Sequence, residues 1–249
     1  VAVTGVQTCA LPIFLAQIVY YFRAYTELLK NAQIKNWREV IFSVPSGNFW
    51  DALAWYYAKK MWLPISKILI ATNENDMLHK FFETWVYEPP KKDGKDFVQV
   101  TNSPSMDIAK SSNFERMIFD VCEFDSEQVK WFYDELAKTW KYTVPENILA
   151  KIKETFISST STWEERLNAI KHFANNFNHW IDPHTAAWVV PVLKWEYDLW
   201  IWKTPVIFLE TSHVAQFWAE LKKEWIVVPG TEEFDETLNA MRQANPREW

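Results

Sequence analysis

Glycine is what this sequence lacks most. Its 249 residues include 4 glycines, where ordinary usage of about 7% would give roughly 17. Tight turns and left-handed helix ends, which glycine usually supplies, must therefore be built from other residues. Cysteine is nearly missing as well. Cys9 and Cys122 are the only two, which excludes a disulfide-stapled scaffold and fits a reducing, cytoplasmic setting. The longest apolar run, Cys9 to Phe22, is interrupted by Pro12 and Gln17 and is too short to span a bilayer. It also lacks the basic n-region of a signal peptide. There is no block of basic residues, and a formal charge of −6 argues against a nucleic-acid surface. What remains is a soluble, intracellular chain of one large or two small domains, with no membrane or nucleic-acid partner expected. The oligomeric state is open.

Tryptophan is in excess, at 16 residues. A Trp-rich, non-catalytic binding module would explain the count if the indoles lined one face. Their placement argues otherwise. Trp62, Trp85, Trp140, Trp180 and Trp225 each follow a helical segment, as in Lys59-Lys60-Met61-Trp62-Leu63-Pro64 and Lys222-Lys223-Glu224-Trp225-Ile226. Cations in the last turn and a proline soon after mark the position where a helix ends on an αL residue. Tryptophan stands where glycine belongs. The expectation is a gene in which UGA encodes glycine, read with a table in which UGA encodes tryptophan; Trp37, Trp131 and Trp249 are the candidates for genuine tryptophan.

The chain is organised around Ser43-Val44-Pro45-Ser46-Gly47-Asn48-Phe49-Trp50-Asp51. An apolar, β-branched strand at 39–44 feeds a Pro-Ser-Gly-Asn turn and then a helix at about 50–61. In such a turn backbone N–H groups converge on an anion at the positive end of the helix. The bland alternative is an ordinary βα turn. A second buried strand at 65–71 implies a parallel βαβ unit. A helix over about 14–30 carries the stripe Phe14, Ile18, Phe22, Tyr25 and Leu29. From 75 to about 200 the pattern is helical, at about 75–84, 106–121, 126–139, 146–157, 163–178 and 184–193, with little strand signal. Thr162 and Glu165 offer a capping box, and Pro145 and Pro183 suit first-turn positions. The α/β pattern resumes with a strand at 205–209, a helix at 213–224 and a final charged helix at 231–243. The opening residues, Val3 to Ile13, resemble the translation of a sequencing-adapter oligonucleotide rather than of a gene. They are excluded from fold reasoning, and the natural chain is expected to begin upstream of Phe14.

With glycine restored at position 50, residues 44–52 resemble the V-P-S-G-N-F-G-D-A motif of the threonine synthase family, fold-type II pyridoxal-phosphate enzymes. The resemblance continues through Ala71-Thr72-Asn73-Glu74-Asn75-Asp76, Ser103-Pro104-Ser105-Met106-Asp107-Ile108, Ser111 to Arg116, Asp182-Pro183-His184-Thr185-Ala186-Ala187 and Leu209 to Phe217. It covers about 14–225 in the family's order. It implies an α/β fold: part of a fold-type II parallel sheet with a large helical insertion. The cofactor-binding domain is then 14–75 and 196–249, and the insertion 76–195. The implied cofactor is pyridoxal 5′-phosphate. The implied reaction turns O-phospho-L-homoserine and water into L-threonine and phosphate, with a sister fold-type II lyase as the alternative. Val214 and Gln216 depart from the family's proline and lysine. The family's Schiff-base lysine belongs to an N-terminal segment that has no counterpart here, so no catalytic residue is assigned and this stretch alone is expected to be inactive.

By the same resemblance Ser46, Gly47, Asn48, Phe49, Trp50 and Asp51 cradle the cofactor phosphate, although the Trp50 indole would crowd it. Thr211 would place a neutral hydroxyl against the pyridine nitrogen, where the alternative is a strand-end threonine satisfying backbone groups. His213 is read equally as a site neighbour or a helix cap. His172, His179 and His184 fit no zinc spacing and read as helix-surface histidines; no metal is expected. Cys122 reads as core. Ser105, Asp107 and Asn113 have no derivable chemistry, and packing or docking of the insertion accounts for them equally well.

Overall fold

Alternating short apolar strands and helices give a parallel sheet, because strands joined through a helix return in the same direction. The computed structural model describes residues 5–194, 203–208, 210, 212–224 and 226. β1 (Val40–Pro45) leads through α2 (Trp50–Lys60) to β2 (Ile65–Thr72), preceded by the long helix α1 (Gly5–Lys30). Two later strands complete one four-stranded sheet, β3 (Phe156–Thr160) and β4 (Val206–Phe208), in the order β3-β2-β1-β4 with every pair parallel. Val40, Ile41, Phe42 and Val44 are all essentially inaccessible, as expected for a strand covered on both faces.

Helices α3 (Met77–Thr84), α4 (Phe114–Val121), α5 (Ser126–Thr139), α6 (Glu146–Thr155), α7 (Trp163–Phe177), α8 (Pro183–Leu193) and α9 (Trp218–Lys223) follow in order. The core is aromatic. Trp55 of α2 is buried between Tyr21 and Phe42, with centroids at 4.7 and 5.0 Å. Phe49, Phe81, Phe82, Phe114 and Phe156 form a second cluster, edge-to-face at Phe114 and tilted at Phe156, that ties α3, α4 and β3 to the N-cap of α2. Such pairs add about 0.5–1.5 kcal/mol each beyond their buried area.

Several expectations need correction. Residues 75–200 are not without strand: Phe156–Thr160 follows α6 directly and pairs with β2 from Ile68 to Thr72. Residues 107–113 are not helical. A single 3₁₀ turn at Pro104–Met106 precedes them, and the side chains of Asp107 and Asn113 are spent on hydrogen bonds to other segments, which competes with helix formation. α1 begins at Gly5 rather than near 14. Pro145 is the N-cap of α6 rather than its first residue, whereas Pro183 and the Thr162–Glu165 capping box are as expected. The expected helix at 231–243 lies outside the described residues. Among the described residues no helix is long and apolar enough to cross a membrane.

The tryptophan pattern recurs in the backbone. Trp62, Trp85 and Trp140 have φ of 67°, 65° and 69°, the αL conformation that costs a residue with a Cβ roughly 1–2 kcal/mol. At the end of α2 the Trp62 N–H bonds Lys59 O and the Leu63 N–H bonds Ala58 O, at 2.9 and 3.1 Å. This is the Schellman closure that normally centres on glycine. Trp37, grouped above with the genuine tryptophans, is also αL at φ 61°. Trp180 is not; Asn178 makes the turn after α7 at φ 50°. Trp225 is outside the described residues.

Candidate functional site

The C-terminal end of β1 opens on a cavity of about 930 Å³, within the range of small-molecule sites. Its floor is the turn between β1 and α2, where Pro45, Gly47, Asn48, Trp50 and Asp51 face it. One wall is α1, through Gln17, Tyr20 and Arg23; the other is Ser105, Met106 and His184, with Glu210 and Ser212 at the end beyond β4.

The turn is shaped for an anion. Ser46 N–H is spent on Ala71 O at 2.9 Å, and Trp50 N–H on Asn48 Oδ1 at 2.9 Å. Between them the N–H groups of Gly47, Asn48 and Phe49 have no acceptor among the described residues. They sit at the N-terminus of α2, where unpaired donors and the helix dipole favour negative charge. Because Asn48 Oδ1 is engaged, its Nδ2 remains to donate. Ser46 Oγ is buried without a partner. Gly47 has no room for a side chain: a Cβ there would lie 3.0 Å from Ile108 Cδ1 and 3.2 Å from Met106 Cα. These features fit a phosphate group.

The six loop residues divide by direction. Ser46 and Phe49 do not border the cavity; Phe49 is αL at φ 63° and its ring packs 5.1 Å from Phe114 in the core. Trp50, half-buried, adds an indole to the floor. Burial pushes the Asp51 carboxyl up to about 6, opposed by a hydrogen bond from Gln17. Thr211 lies outside the described residues, between Glu210 and Ser212.

The residues left without chemistry dock the 100–115 segment onto the sheet. Asp107 accepts from Asn73 Nδ2, Asn75 Nδ2, Thr101 Oγ1 and Thr101 N–H at 2.7–2.9 Å. Asn113 donates through N–H and Nδ2 to Asn48 O, at 3.1 and 3.2 Å. Behind them, fully buried Arg166 pairs with Glu74 at 2.8 Å and donates to Ser161 O.

His184 is not on a helix surface. It is buried in the first turn of α8, because Asp182 caps that turn and draws the ring inward. His172 and His179 are exposed, and among the described residues no group of His, Cys, Asp or Glu is arranged to hold a metal. His213 caps the 3₁₀ turn at Val214–Phe217 by accepting from Ala215 N–H at 3.2 Å. Cys122 is buried, and burial pushes its thiol up to about 11. Sequence reasoning missed His184; the Asp-Pro-His spacing, an N-cap followed by a first-turn proline, was the signal available.

No protein-family model matches the chain. Curated relatives do. The chain is 37% identical over 204 residues to threonine synthase of Methylobacillus glycogenes, covering 81% of this chain and 41% of that protein. It is 38% identical over 219 residues to threonine synthase of Saccharomyces cerevisiae, covering 82% and 40%. Among solved structures, the pyridoxal-phosphate-bound threonine synthase of Brucella melitensis superposes with a TM-score of 0.75 at 35% identity, covering 84% of this chain and 42% of that one. The yeast enzyme superposes with a TM-score of 0.75 at 34% identity, covering 87% and 46%. The chain thus spans about two-fifths of the length of the curated relatives it matches.

Proposed function

This chain is a threonine synthase-family sequence, and we propose that its parent protein converts O-phospho-L-homoserine and water to L-threonine and phosphate with pyridoxal phosphate. The observation that carries the proposal is the trio of open N–H groups at Gly47, Asn48 and Phe49 at the start of α2, the first two of these residues on the floor of the cavity. Bound there, pyridoxal phosphate would supply a conjugated electron sink for negative charge beside the substrate's α-carbon.

The chain's own part is binding and orientation. The three amides, Asn48 Nδ2 and the α2 N-terminus hold the phosphate dianion. Ser46 Oγ, now without a partner, is a further donor at the loop's start. Burial pushes the Asp51 carboxyl up to about 6, so its negative charge beside that phosphate is lost only below that pH. Thr211, which lies outside the described residues, is by the family resemblance the hydroxyl that meets the pyridine nitrogen. A neutral hydroxyl does not force that nitrogen to stay protonated, which moderates the electron sink. The lysine that anchors the cofactor is supplied by a part of the parent outside this chain, so this chain alone does not turn over. The cytoplasmic setting is part of the same reading.

The natural residue at positions 50, 62, 85 and 140 is glycine in this reading, and at 37 as well. The αL backbone at four of the five supports it, as does the indole in the floor of the phosphate turn. Codon inspection and peptide masses from the source organism test it: UGG codons at these positions contradict it. For the activity, the test is phosphate release from O-phosphohomoserine by the complete gene product. Release that depends on added pyridoxal phosphate and yields threonine is expected; its absence in an intact, folded product defeats the proposal.

A further inference from the structure

His184, on the cavity wall, forms a buried pair with Asp182 behind it that the proposed cofactor binding does not use. Asp182 Oδ1 lies 3.0 Å from His184 Nδ1 and also accepts the His184 N–H at 2.8 Å; its other oxygen takes the Thr185 hydroxyl. A carboxylate only accepts, so Nδ1 carries the ring proton and Nε2 presents a lone pair. That lone pair receives Ser105 N–H at 3.2 Å. The Phe217 ring covers the imidazole, with centroids 5.0 Å apart.

Ser105 is the middle residue of the 3₁₀ turn Pro104–Met106. The next residue, Met106, lays its backbone on Gly47, with Cα and O each 3.2 Å from where a Gly47 Cβ would stand. Asn113 holds the same loop from the other side through Asn48 O. We propose that His184 is a positioning residue: by accepting Ser105 N–H it fixes the 104–106 turn, and the turn sets the conformation of the Gly47–Phe49 loop. The continuous chain of contacts is Asp182, His184, Ser105, Met106, Gly47. A role confined to capping α8 would need Asp182 alone, which already accepts both backbone donors of the first turn.

The experiment is hydrogen exchange at the amides of residues 46–51 and 103–108 in the full chain. His184→Leu keeps the volume and removes the acceptor; His184→Gln places an amide oxygen near the Nε2 position. The expected result is exchange at Ser46 and Trp50, the loop amides that have acceptors, at least about fivefold faster in His184→Leu and close to wild type in His184→Gln. Ser105→Pro removes the donor without touching α8, and must reproduce the faster loop exchange. The proposal is overturned if loop exchange is unchanged in His184→Leu or Ser105→Pro, or if Leu and Gln behave alike. A second arm, which rests on the proposed cofactor reading, titrates pyridoxal phosphate into chains that all carry Trp50→Gly. His184→Leu binds about tenfold more weakly, the equivalent of one hydrogen bond, and Gln restores the affinity. Equal affinity with native His184 and with His184→Leu contradicts the positioning role. If the chain with Trp50→Gly and native His184 shows no affinity at all, the cofactor reading fails, and the exchange arm still decides the role of His184.

Discussion

Trp62→Gly should stabilise the protein, against the ordinary expectation for loss of a large apolar residue. Trp62 closes the α2 Schellman turn at φ 67°, and its side chain is 85% exposed. Relief of αL strain returns about 1–2 kcal/mol. Glycine's extra freedom in the unfolded chain takes back about 0.5–1 kcal/mol, and the exposed indole forfeits little burial. The net gain is about 0.5–1 kcal/mol, or about 2 °C in Tm for a chain of this size. Trp62→Ala is the control, because alanine sheds the indole but keeps the Cβ and hence the strain. Urea denaturation of the three proteins measures the difference through the midpoint at constant slope. The reasoning is refuted if glycine is no better than alanine at position 62. Trp85 should respond differently. It is half-buried, with Phe81 at 6.0 Å and Lys153 over its ring at 4.4 Å, so packing lost in Trp85→Gly offsets the strain relieved.

Other perturbations act on the site and its supports. Gly47→Ala forces a methyl against Met106 and Ile108; the overpacking should cost about 1–3 kcal/mol and weaken phosphate binding, read by chemical denaturation and isothermal titration. Asp51 has its folded pKa raised from 3.8 to about 6, so the folded state binds the extra proton between those values. Stability should fall as pH rises from 4 to 6, by up to about 3 kcal/mol, and Asp51→Asn should flatten that part of the curve. Glu74→Gln leaves Arg166, fully buried, without its counter-charge, and a loss of about 3 kcal/mol is expected in thermal unfolding. Asp107→Ala strips four donors of their acceptor. It should release the 100–113 segment to proteolysis while β1 and β2 stay protected.

The β1–α2–β2 unit was legible because its strands are continuous β-branched runs and its turn has few solutions. The same clarity made the loop at 46–51 the first candidate site. β3 was missed for a physical reason: Phe156-Ile157-Ser158-Ser159-Thr160 is short, mixed in polarity and joined to α6 without a turn residue, so only its partner β2 defines it. The helix expected at 107–113 failed where Asp107 and Asn113 found better acceptors and donors in distant segments, which no local pattern encodes. His184 was misplaced because exposure of a helix-start histidine depends on what covers it, here Phe217. The αL backbone at Trp62, Trp85 and Trp140 was legible from position alone, while Trp180, singled out in the same way, is not αL. Helix-end chemistry is local, whereas the grouping of Trp37 as genuine had no such signal behind it.

The most direct test of the phosphate turn is phosphorus NMR of pyridoxal phosphate titrated into the full chain carrying Trp50→Gly, beside the same chain with Gly47→Ala added. The account predicts a shifted, saturable phosphate resonance in the first and its loss in the second. An unshifted resonance in the first, or the same shift in both, would contradict it.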